Sequence, residues 1–186
     1  MEVKMDRRQK KTRQAVYDAF TSLLEKKSYS NITVQEIIDE ADIGRSTFYA
    51  HFETKDDLLR ALCAEIFNHV FSEHLTQEES HDFSHDRRDL KSDITHILYH
   101  LQDSRKYIRS ILSYESGEVF MLSFRAHLEK VFEGELAHGR SEIPMEYLRD
   151  HMVWDFAETV RWWMKHPHYS PEEISDFFLR SAMFTS

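Results

Sequence analysis

Thr33 to Lys55 reads TVQEIIDEADIGRSTFYAHFETK. The spacing predicts two short helices joined by a turn of three or four residues, the layout of a helix-turn-helix unit that enters a DNA groove. Thr33 and Glu36 form a capping box, in which the Thr hydroxyl accepts from the backbone N–H three residues on while the Glu reaches back. Ile37, Ile38 and Ala41 then supply one apolar face. Asp42-Ile43-Gly44 interrupts the pattern, with Gly44 read as the source of the turn's conformational freedom and Ile43 as an apolar plug between the helices. The second helix is expected from about Arg45 to Phe52. It buries Phe48 and Phe52, four apart, and leaves Arg45, Ser46, Thr47, Tyr49 and His51 facing outward. Short hydroxyls, a guanidinium and two hydrogen-bonding rings are the groups that read base edges and hold phosphates.

The run Thr47-Phe48-Tyr49-Ala50-His51-Phe52, with Lys55 and the following Asp56-Asp57-Leu58-Leu59, resembles the DNA-binding signature of TetR/AcrR-type transcriptional regulators. The resemblance covers roughly residues 8 to 70; the rest of the chain follows the family only in helical layout and length. Ala50 departs from the larger polar or aromatic residue that the family often carries there. The resemblance implies an all-α fold of about nine helices: a three-helix DNA-binding domain and a helical dimerisation and regulatory domain. It also implies that Tyr49, His51 and Lys55 hold phosphates. A small-molecule effector in the second domain is a further candidate partner, shifting the separation of two DNA-reading heads.

The bulk properties agree with a helical protein of a reducing compartment. Gly and Pro number only four and three, and 41% of residues are hydrophobic, enough for a sizeable core. A lone cysteine, Cys63, rules out an internal disulfide. The segment MEVKMDRRQKKTRQ has no apolar core of a secretory signal, and no apolar run approaches the ~20 residues of a membrane helix. A cytoplasmic protein with no membrane partner is expected. A net charge of −9 is unusual for a DNA binder, but its distribution matters more than its sum. The first 60 residues are close to neutral, and Lys4, Arg7, Arg8, Lys10, Lys11 and Arg13 cluster at the start; the excess acid lies beyond. That acidic remainder turns the basic end toward a duplex.

Working outward, a first helix is expected over about 7–27, carrying Val16, Phe20, Leu23 and Leu24. Residues 1–54 then form the DNA-binding domain, a helix over about 55–75 connects, and 76–186 form the second domain. Lys55 stands at the N-terminus of the connecting helix, where a phosphate could bind. Thr76 to Asp89 is polar and reads as a loop. Helices follow over about 90–102, 106–112 and 117–136, with breaks at Ser116-Gly117 and His138-Gly139-Arg140-Ser141. The next, about Met145 to Lys165, carries Tyr147, Trp154, Phe156, Trp162 and Trp163 around its whole circumference. Such a helix is expected to be covered on more than one side. Ser170-Pro171-Glu172-Glu173 starts the last helix as a capping box with Pro in the first turn. A two-fold dimer that pairs the last two helices in a four-helix bundle covers these groups, and it also presents two recognition helices to a palindrome.

The candidate DNA contacts are thus Thr33, Gln35, Gly44, Arg45, Ser46, Thr47, Tyr49, His51 and Lys55, with Arg45 the best suited to a bidentate guanine contact. The candidate effector pocket is Tyr114, Phe120, Phe124, Trp154, Asp155, Glu158 and Trp162, for each of which core packing or a solvated helix edge is the competing reading. An effector-released repressor is expected; the alternative is a regulator without a pocket, controlled by a protein partner. Catalysis finds no support: there is no Gly-rich phosphate loop, and Cys63 reads as a small buried group. His96 and His100 share a helix face at a spacing seen in metal sites, but in a chain with twelve histidines the pair reads as packed or solvated. No metal and no cofactor is expected.

Overall fold

Val16, Phe20, Leu23 and Leu24 recur every three or four residues and are all buried, which is why residues 7–26 wind into one amphipathic helix, α1 (Arg7–Lys26). A computed structural model of the chain describes residues 7–71, 90–112, 116–136 and 143–183. Among these residues the elements after α1 are a 3-10 turn (Tyr29–Asn31), α2 (Val34–Glu40), α3 (Arg45–Tyr49), α4 (Lys55–Phe71), α5 (Leu90–Asp103), α6 (Arg105–Leu112), α7 (Ser116–Leu136), α8 (Met145–Lys165) and α9 (Pro171–Met183). The described chain is all-helical, with nine α-helices and no strand. No helix in it is long and apolar enough to cross a membrane.

The described residues fall into two compact units. The first comprises those within Met1–Glu65 and Lys106–Phe120. Its core holds Phe20, Ile37, Phe48, Leu58, Ile108 and Ile111, all fully buried. Polar bonds fasten α6 to α1: Lys106 Nζ lies 2.9 Å from Asp18 Oδ1, the Tyr107 hydroxyl donates to the same oxygen at 3.0 Å, and Ser110 Oγ donates to Glu25 at 3.0 Å. At the start of α7, a Cβ on Gly117 would stand 3.2 Å from the Leu112 Cα, so this position has little room for a side chain.

The capping box at α2 is complete. The Glu36 N–H donates to Thr33 Oγ1 at 3.3 Å, and Glu36 Oε2 accepts from the Thr33 N–H at 2.9 Å. Lys27 also bonds Glu36; that bond first, and the Thr33 groups next, hold the Glu36 carboxyl at about 2, below the ordinary carboxylate range. A depressed carboxylate stabilises the fold above its unfolded value and ceases to do so as pH falls through its folded value. The contribution of Glu36 is therefore full above about pH 4–5 and is lost on acidification toward pH 2. Thr33→Ala is expected to cost about 1 kcal/mol of stability in denaturant unfolding at neutral pH; an unchanged midpoint would show the cap to be dispensable.

The turn after α2 departs from the expectation for Gly44. Gly44 has φ −75° and ψ 150°, a conformation open to any residue. The left-handed residue is Asp42, with φ 50°. Its N–H bonds the Asp39 carbonyl at 3.3 Å and the Ile43 N–H bonds the Ile38 carbonyl at 3.2 Å, which closes α2 with a Schellman motif. Asp tolerates this conformation because its side chain is short and polar. Ile43 is only half-buried, so it fills the turn partially rather than plugging it. α3 itself ends at Tyr49, and the Phe52 N–H still reaches the Phe48 carbonyl at 3.0 Å, extending the turn through the residues expected to be helical.

The second unit comprises the described residues within Ile66–Arg105 and Met121–Ser186. Aromatic rings build its core. Phe67 stacks on Phe124 at 6.0 Å, and Phe156 meets Phe178 edge-on at 5.0 Å. Trp163 is fully buried, donates its indole N–H to the Tyr169 carbonyl at 2.9 Å, and lies 4.2 Å below the Arg105 guanidinium. The capping box of α9 is present: the Ser170 N–H donates to Glu173 Oε2 at 2.8 Å and the Glu173 N–H to Ser170 Oγ at 3.2 Å. One face of α8 is buried through Val153, Phe156, Val160 and Trp163. Tyr147, Trp154 and Trp162 on the same helix are 61%, 55% and 43% exposed. In the first unit, Cys63 on α4 is buried, and burial raises its thiol to about 12.

Candidate nucleic-acid interface

α3 rests on two phenylalanines. Phe48 is fully buried and Phe52 nearly so, with ring centroids 5.7 Å apart. Below them Tyr17 of α1 lies 5.9 Å from the Phe52 ring, and the Arg13 guanidinium 5.3 Å. Arg13 also bonds the Tyr17 hydroxyl and reaches Glu65 at 3.5 Å, so it ties α1 to α4. This base fixes the height and rotation of a helix too short to hold its own conformation.

Arg45 and Ser46 are exposed, and Thr47 is half-buried. Tyr49 is 49% exposed, and its ring stands edge-on to Phe48 at 5.5 Å. His51 is half-buried beside Phe52. Across the turn Arg45 Nη2 donates to Gln35 Oε1 at 3.1 Å, and Gln35 Nε2 donates to Asp39 at 2.7 Å. The structure thus brings Arg45 and Gln35 together on one polar edge of α2 and α3. Thr33 is committed to capping through both its hydroxyl and its backbone N–H.

Lys55 has internal partners. Its ammonium donates to the Tyr29 carbonyl at 2.7 Å and the Ile32 carbonyl at 2.8 Å, and stands 4.3 Å from the Tyr29 ring centroid. Tyr29 in turn bonds Asp56, and burial, followed by that bond, raises its phenol. Thr54 caps α4 by accepting from the Asp57 N–H at 3.1 Å, and Asp56 and Asp57 occupy the first turn. The N-terminus of α4 therefore already carries its own negative groups, the arrangement a helix dipole favours. The Tyr29–Asp56 bond leaves no trace in spacing along the chain; the Ser28-Tyr29-Ser30-Asn31 run, rich in turn formers, is the local signal of the turn.

Of the basic cluster, Lys4 lies outside the described residues, and Arg7, Arg8, Lys10 and Lys11 are exposed on α1. Of the candidate pocket, Tyr114 lies outside the described residues. Phe120 and Phe124 are fully buried among core side chains. In the second unit Trp154, Trp162 and Glu158 are exposed along α8, with the Arg125 guanidinium 4.0 Å over the Trp154 ring. Asp155 is half-buried and accepts from Ser181 Oγ at 3.3 Å. Phe124 is thus a core residue, while the two α8 tryptophans are at the surface.

A short polar helix on an aromatic base, preceded by a capped helix and a four-residue turn, defines a helix-turn-helix DNA-binding regulator. Residues 16–62 match the family model described as bacterial regulatory proteins, tetR family, and residues 88–183 match one described as a transcriptional regulator C-terminal region. The chain is 40% identical over 74 residues to the uncharacterised HTH-type transcriptional regulator YxbF of Bacillus subtilis (strain 168), a match to 37% of this chain that spans only 20% of that relative's length. It is similar to the crystal structure of a TetR transcriptional regulator from Streptococcus agalactiae 2603V, with a TM-score of 0.71, 32% identity, and 95% of this chain and 96% of that one covered. The fold is also shared with DhaS, a dihydroxyacetone kinase operon activator, at a TM-score of 0.63 and 16% identity over 94% of this chain and 95% of that one. The chain belongs to the TetR family of helix-turn-helix transcriptional regulators. That is a family of DNA-binding regulators and not of enzymes.

Proposed function

We propose that the chain acts as a homodimer whose two α3 helices read a palindromic operator, and that it is a repressor released when an effector favours a head spacing unlike that of the groove. The observation that carries the DNA reading is the exposed edge of Arg45, Ser46, Tyr49 and Gln35 above the fully buried Phe48. Arg7, Arg8, Lys10 and Lys11 support it. Cations near a helix N-terminus oppose the helix dipole. A phosphate backbone offsets them. Residues 1–54 supply the reading head, α4 connects, and 76–186 supply dimerisation and regulation. The exposed aromatic groups of α8, with Phe177 of α9, support a dimer through these two helices.

In this reading Arg45 contacts a guanine edge, Thr47 contacts phosphate or a thymine methyl, and Tyr49 and His51 contact phosphate. Lys55 holds the Tyr29 turn against α4 and presents its remaining N–H to a phosphate. Titrations on operator and scrambled duplexes at several salt concentrations test the assignment. Arg45→Ala is expected to lose about 1–3 kcal/mol of discrimination between the two. Lys55→Ala is expected to weaken both equally and to reduce the salt slope by about 0.9. Equal loss on every sequence from Arg45→Ala would contradict the base-reading role.

The exposure of Trp154 and Trp162 beside a fully buried Phe124 supports a second reading, in which regulation runs through a protein partner and not a small molecule. Thermal unfolding against a small-molecule library separates the two: stabilisation by a compound supports the pocket, and none supports the partner.

A further inference from the structure

We propose that His69, His100 and Asp103 form a binding site for a divalent transition-metal ion of the zinc class. His69 comes from the last turn of α4, His100 from the last turn of α5, and Asp103 lies three residues beyond His100 on the same helix. All three belong to the second compact unit. His100 Nδ1 stands 3.3 Å from His69 Nε2, and Asp103 Oδ2 lies 3.6 Å from the first-named helix's His69 Nε2 and 3.9 Å from His100 Nδ1. The point equidistant from these three atoms is about 2.1 Å from each, the length of a zinc bond to imidazole or carboxylate.

A single N–H···N bond accounts for the approach of the two rings. The Asp103 carboxylate oxygen stands beyond hydrogen-bond reach of both rings, at ion-pair distance from each. One cation at the equidistant point attracts all three donors. Two imidazoles and one carboxylate suit zinc, cobalt, nickel or copper, whereas magnesium and calcium prefer oxygen donors throughout. His100 is buried, and its ring is set by His96, edge-on at 4.4 Å. The Asp103 side chain is 68% exposed, which gives an ion a path in and leaves a coordination position for water. The signal was invisible to spacing along one helix: His96 and His100 share a face, but the second ligand is His69, 31 residues before His100 on another helix.

α4 begins at Lys55 beside the reading head, so an ion at His69 grips the far end of that helix. An effect on operator affinity rests on the regulator reading above; ion binding is assayed without DNA, so the two fail separately. The test uses the full chain free of any histidine tag, titrated with Co²⁺ by visible absorption and with Zn²⁺ by calorimetry. One ion per chain is expected, with cobalt bands of four- or five-coordinate nitrogen and oxygen ligation. Asp103→Asn and His69→Gln, both at partly exposed side chains, should keep the wild-type circular dichroism and each weaken binding by at least about 10-fold, and the double variant by about 100-fold or more. A His166→Gln, His168→Gln control should bind as the wild type does. No stoichiometric binding by the wild type would overturn the site and leave a hydrogen-bonded histidine pair. Binding that survives in the double variant would overturn it equally, by placing the ion on other histidines.

Discussion

Phe48→Ala is expected to destabilise the first compact unit by about 3–5 kcal/mol, the cost of removing a fully buried aromatic ring and leaving a cavity. Phe48 meets Phe52 at 5.7 Å and Tyr49 at 5.5 Å, so its loss removes the support of the whole of α3. Small domains are stable by only about 5–15 kcal/mol, so the loss is a large share of the total. Denaturant unfolding should show a midpoint shift of that size, and DNA affinity should fall together with it. Tyr49→Ala is the matched control. Its ring is half exposed, and it should weaken DNA binding while changing stability far less. A Phe48→Ala protein less than about 1 kcal/mol below the wild type would show that α3 is held by something other than this aromatic base.

The second large effect concerns assembly. Trp154 and Trp162 are exposed on α8, so replacing both with Glu removes little of the chain's own core. The double variant is expected to keep its helical circular dichroism and to sediment as a monomer. A monomer brings one reading helix to the operator where a dimer brings two, and the linked pair gains about 10²–10⁴ in avidity over a single head. Operator affinity should therefore fall by about that factor, while weak binding to a single half-site remains. If the variant still sediments as a dimer with unchanged operator affinity, the interface lies elsewhere than on this face of α8.

The helices were legible in the sequence because their signals are local. Apolar spacing marked α1, and the Thr33–Glu36 and Ser170–Glu173 boxes marked the starts of α2 and α9 to the residue. The burial of Phe48 and Phe52 beneath an exposed Arg45 was legible for the same reason. The turn was less so. Gly is the usual left-handed residue, and the pattern could not reveal that Asp42 would take that conformation and leave Gly44 extended. Pairings between distant segments left no periodic trace. Lys55 reads as a free surface cation until the carbonyls of Tyr29 and Ile32 are brought beneath it. Lys106 and Tyr107, which bond Asp18, belong to the first unit although they lie 88 and 89 residues beyond it. The ring of aromatic groups on α8 was correctly split into a core face and an uncovered face only once α9 was in place.

Selection of bound duplexes from a random-sequence pool tests the central claim, that paired α3 helices read DNA through the Arg45 edge. The wild type is expected to enrich an inverted repeat whose half-site centres are one helical turn apart, about 34–36 Å, or a multiple of it. Arg45→Ala, folded as the wild type is, should enrich the same repeat with one position in each half-site relaxed. No enrichment, enrichment without two-fold symmetry, or an Arg45→Ala selection identical to the wild type would contradict the account.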